Sequence, residues 1–66
     1  MSLFDFKVAC ELNEKDVSFY GLIMAAMWKA DDLNLDKLKT AFPDVWRELQ
    51  IRYHSPGGLV EGEGED

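Results

Sequence analysis

The stretch Val17-Ser18-Phe19-Tyr20-Gly21-Leu22-Ile23-Met24-Ala25-Ala26-Met27-Trp28 constrains this chain more than any other, because only Ser18 and Gly21 in it are not apolar. As a helix it carries apolar surface most of the way round instead of along one stripe, so it needs cover on more than one side. The cover on offer is small: a short N-terminal segment, an apolar stripe between Leu33 and Tyr53, and whatever a second copy of the chain brings.

At 66 residues the chain makes one domain at most. A domain of that size buries only about 60% of its unfolded surface, which barely offsets chain entropy. Small folds therefore add disulfides, a metal or a partner subunit. The single cysteine, Cys10, rules out an intramolecular disulfide, and with His54 the only histidine a structural zinc site lacks its usual ligands. No cofactor is expected. Self-association is the remaining device, and 47% apolar residues in so short a chain favour a homodimer or higher oligomer.

No apolar run reaches the ~20 residues that a bilayer requires, so no membrane span is expected. The N-terminus does not carry the basic lead and apolar core of a signal peptide. With one unpaired cysteine, this points to a reducing, cytoplasmic setting. The formal charge is -6, but Glu61, Glu63, Glu65 and Asp66 crowd the last six positions. Setting those four aside leaves nine acids against seven bases, a charge of -2. Nucleic acid is therefore an unfavoured partner, because phosphate binding calls for a basic groove.

From Phe4 to Leu12 the even positions read Phe4, Phe6, Val8, Cys10, Leu12, against Asp5, Lys7, Ala9 and Glu11. That period of two is the pattern of a strand with one buried face. The competing reading is a helix capped by Ser2 with Asp5 three residues on. The apolar residues leave no empty sector on a helical wheel, which favours the strand. Such a strand needs a pairing partner: either Gly58-Leu59-Val60 or the same segment of another subunit.

Asn13 then serves as N-cap of a long central helix from Glu14 to Ala30, with Asp16 in its first turn. Gly21 inside it costs about 1 kcal/mol relative to alanine, a cost explained if another backbone approaches closely there. Asp31 to Asn34 separates this helix from the next, with Asn34 as the expected cap. Leu35, Leu38, Phe42, Val45, Leu49 and Tyr53 recur at threes and fours as a helical stripe, and Pro43 interrupts it. Two shorter helices follow from that break, Leu35 to Ala41 and Pro43 to Tyr53. Ser55-Pro56-Gly57-Gly58 stops the last one. The expected fold is thus mainly α with a short N-terminal strand: residues 1–58 form a single small helical domain, and 59–66 a flexible acidic tail.

Little here suggests catalysis. His54 has no second histidine or cysteine at ligand spacing, and at a helix end it reads as a solvated residue that suits the dipole. Cys10 reads as a small buried hydrophobe. Asp31, Asp32 and Asp36 lack the glycine and terminal glutamate of a calcium loop. The chain is not expected to be an enzyme.

Phe4, Phe6, Phe19, Tyr20, Trp28, Phe42, Trp46 and Tyr53 are more large rings than one short chain hides easily. Most are expected in the core. Phe4, Phe6, Val8, Tyr20, Trp28, Trp46 and Tyr53 are the candidate interface residues.

The segment AFPDVWRELQIRY, with SPGG after His54, resembles the C-terminal part of short hypothetical proteins encoded by tailed phages and prophages. That resemblance implies a genomic setting and no activity. Three functions follow as expectations. The first is a small, non-catalytic, oligomeric protein-interaction module, a phage or prophage accessory factor with a protein partner. A second rests on the order strand, helix, helix, which resembles the ribbon-helix-helix family of dimeric repressors and antitoxins; the outward strand positions Asp5, Lys7, Ala9 and Glu11 suit DNA poorly. The third is a virion or assembly component.

Overall fold

The fold is given by a computed structural model that describes residues 1–58. Helix α1 spans Leu3–Glu14, α2 Phe19–Lys29, α3 Asp32–Ala41 and α4 Pro43–Tyr53, and a 3₁₀ turn, Pro56–Gly58, follows. No strand occurs among the described residues. The expected acidic tail, 59–66, and most of the proposed Gly58-Leu59-Val60 strand lie outside them.

The N-terminal strand is therefore replaced by α1. Its start is the Ser2 device: the Ser2 hydroxyl accepts from the Asp5 amide at 3.2 Å and donates to the Asp5 carboxylate at 3.0 Å. The physical reason is backbone pairing. A lone strand leaves its amides and carbonyls without partners, whereas a helix satisfies them within the segment. Apolar residues on every side of α1 also mimic alternation over so few positions.

Two more helices begin by the same logic. Ser18 caps α2 by accepting from the Gly21 amide at 3.0 Å, and Asp31 caps α3 by accepting from the Asn34 amide at 2.8 Å. The central helix is accordingly shorter than expected, and neither Asn13 nor Asn34 is a cap. Both misplacements have one cause. Asn13 falls in the last turn of α1 and Asn34 in the first turn of α3, inside helices and not ahead of them, while Ser18 and Asp31 stand extended just before the free amides.

The break before Pro43 falls where the sequence places it. Phe42 closes α3, its amide donating to the Leu38 carbonyl at 2.8 Å, and opens α4, its carbonyl accepting from the Trp46 amide at 3.1 Å. Pro43 takes the first helical position, where the missing N–H is not needed. At the other end of α4, Arg52 bonds Glu48 at 3.0 Å and the Gly58 carbonyl at 2.9 Å, tying the final turn back to the helix. Gly57 and Gly58 make that turn with φ of 64° and 70°, a conformation that glycine adopts without strain.

The core is one small cluster in which Met27 of α2 meets Val45 and Leu49 of α4; Met27 and Leu49 are each 3% exposed. Ile23, Met24, Leu35, Leu38, Phe42 and Trp46 pack round it. The sequence stripe thus supplies the core from Leu35 to Leu49, while Tyr53 is exposed. Helices α2, α3 and α4 pack on one another, but α1 packs on none of them.

The capping geometry sets an order for two neighbouring substitutions. Asp31→Ala should lower stability by about 1 kcal/mol and Asn34→Ala by much less, as read from urea midpoints. The reverse order would restore Asn34 as the cap.

Candidate functional site

Among the described residues the core buries three side chains, which leaves much of the apolar surface outside. Two groups of apolar residues border grooves on α2, placed by the helical turn of about 100° per residue. On α2, Ile23, Met24 and Met27 face the core. Gly21, Leu22, Ala25 and Ala26 lie on the opposite side of the same helix and line a groove of about 440 Å³. The other wall of that groove is α1, through Val8 and Leu12, and Val17 and Lys29 line it as well. Val8 and Leu12, one turn apart, are the only residues of α1 that are not exposed. Phe4 heads their stripe at 73% exposed, and Phe6 lies round the helix at 65%.

The second group borders the core cluster through Met24 and Leu49. Trp28 of α2 and Tyr53 of α4 line a groove of about 350 Å³ with Met24, Leu49, Arg52 and Gly58. Trp28 is 64% exposed and Tyr53 68%. His54, the C-cap of α4, lies edge-on to Tyr53 with ring centroids 5.3 Å apart.

The seven sequence candidates are thus divided. Trp28 and Tyr53 share one groove, and Val8 lines the other. Phe4 and Phe6 are exposed on α1. Tyr20, in the first turn of α2, has the Phe19 ring edge-on at 5.2 Å, and Phe19 in turn touches Phe42 at 6.0 Å. Trp46 belongs elsewhere: it packs on the core, with the Lys39 ammonium 5.0 Å above its ring. Leu12, Val17 and Leu22 were not among the candidates. The signal that would have found them is the Ser2–Asp5 capping box, since a helical reading of residues 3–14 puts Val8 and Leu12 on one face.

Cys10, expected to be buried, is exposed, because α1 is a helix that nothing covers and Cys10 sits away from the groove. Among the described residues no group of three or more His, Cys, Asp or Glu side chains converges as a metal site. The ion pairs described are between near neighbours on α4, Asp44 with Arg47 and Glu48 with Arg52. Among the described residues no helix is long and apolar enough to cross a membrane. The ribbon-helix-helix comparison loses the element on which it stood, since α1 occupies the place of the strand. No family model, curated protein or solved structure matches this chain.

The distinction between core and surface aromatic positions has a measurable consequence in dilute protein. Leu49→Ala should remove about 3 kcal/mol of stability, whereas Trp28→Ala and Tyr53→Ala should each remove less than about 1 kcal/mol. A Trp28→Ala loss equal to that of Leu49→Ala would make Trp28 a core residue.

Proposed function

We propose that this protein is a small non-catalytic interaction module that works as a homo-oligomer. The observation that supports it is α1: a twelve-residue helix with Leu3, Phe4 and Phe6 in solvent and no packing against the rest of the chain. Isolated helices shorter than ~12–15 residues are marginal in water, so α1 needs cover to persist. Soluble monomers rarely leave contiguous apolar surface of this kind open.

A second copy supplies that cover without any further partner. The groove between Trp28 and Tyr53 lies on the other side of α2 and is the surface this reading assigns to a different protein, since exposed tryptophan and tyrosine beside an arginine is the composition of binding hot spots. In this reading the chain acts in the cytoplasm. The resemblance of residues 41–58 to short phage and prophage proteins supports an accessory role in that setting.

Light scattering over a dilution series tests the self-association. The expected mass at high concentration is at least twice the 7.6 kDa of one chain, falling towards one chain on dilution. A single-chain mass at every concentration would overturn the reading.

A further inference from the structure

The groove between Trp28 and Tyr53 opens beside the point where the chain leaves the turn after α4. We propose that Leu59 and Val60 of the same chain dock in this groove in the free protein, so that an outside partner has to displace them. The inference rests on the reading of the groove as a binding surface and adds what holds it first; it does not depend on self-association.

Three observations favour this occupant. The first is the course of the chain. Gly58 is part of the groove lining, together with Met24, Trp28, Leu49, Arg52 and Tyr53. It is held there from both sides: its amide donates to the Ser55 carbonyl at 3.0 Å, and its carbonyl accepts from the Arg52 guanidinium at 2.9 Å. Leu59 and Val60 follow directly. An extended residue spans about 3.5 Å, so both side chains are within reach of the Trp28 and Tyr53 rings with no linker between.

The second observation is composition. After Gly58 the sequence holds two apolar residues, Leu59 and Val60, and then only glutamate, glycine and aspartate. The pair gains by leaving water, and the acids gain by staying in it. The lining suits that division. Its side chains are apolar or aromatic except for Arg52, so Glu61 and the acids beyond it meet no like charge among the lining residues.

Third is size. Six residues line the groove, whereas a stable protein interface takes about 20–30 residues a side. A space of about 350 Å³ has room for two aliphatic side chains and is too small to hold a second protein by itself. Tethering then decides between a near and a distant occupant. A segment joined to its site by a short link acts at an effective concentration on the order of millimolar, which a free competitor has to match.

The test is nuclear magnetic resonance of the full, isotope-labelled chain, with a peptide of residues 58–66 as the reference. In the chain, ring currents should shift the Leu59 and Val60 methyl resonances upfield of the peptide's, and those methyls should give nuclear Overhauser contacts to the Trp28 and Tyr53 rings. Trp28→Ala should remove the shift, and Leu33→Ser, at an exposed position on α3, should leave it. Leu59→Asp with Val60→Asp should move the indole N–H resonance of Trp28 and leave that of Trp46, which packs on the core. Methyl resonances at the peptide's positions in the unaltered chain would overturn the docking, whatever the variants do. Contacts found only between labelled and unlabelled chains in a mixed sample would give the groove to a second copy and would also overturn it. Neither result touches the binding-surface reading, which then keeps an open groove. A single-chain mass in light scattering would overturn self-association alone.

Discussion

Met27 closing on Val45 and Leu49 is the contact on which the rest of this molecule depends. It joins α2 to α4, and the turn at Phe42 and Pro43 then holds α3 against both. So few fully buried side chains give little hydrophobic driving force, roughly 1.5–3 kcal/mol for each one, against the entropy of ordering every residue around them. The cluster fixes three helices. It has nothing left for the fourth.

The consequence runs through α2. A helix with one apolar face would be finished once Ile23, Met24 and Met27 were covered. This one carries a second apolar face, Gly21 to Ala26, and α1 approaches that face without closing on it. A gap between two apolar walls is unstable in water unless something fills it, because its lining gains neither burial nor close contact. The same economy that keeps the core small therefore leaves apolar surface outside, and that surface is what supports the proposed role in association.

How much of this was legible in the sequence depended on whether a local device had competition. Pro43 disfavours a continuous helix, so the break at Phe42 and the helix Pro43–Tyr53 were both legible, and with them the core positions Val45 and Leu49. Capping was less so: Asn13 and Asn34 are good caps in isolation, and only the fold shows that Ser18 and Asp31 reach the free amides first. Alternation from Phe4 to Leu12 misled for a more basic reason. A short segment that is apolar on all sides satisfies periods of two and of 3.6 alike, and what decides is whether a strand has anything to pair with. The candidate site inherited that error. Trp28 and Tyr53 were found as large exposed rings, but Leu12, Val17 and Leu22 become neighbours only when residues 3–14 are helical.

If α1 is ordered by a second copy, its backbone protection must depend on protein concentration, whereas that of α2 and α4 reflects the cluster within one chain. Amide hydrogen exchange of α1, followed from dilute to concentrated protein, therefore measures the claim directly. The account predicts fast exchange from Leu3 to Glu14 in dilute solution that slows as concentration rises. Exchange there that is equally slow at every concentration would mean that a single chain holds α1 by itself, and would contradict it.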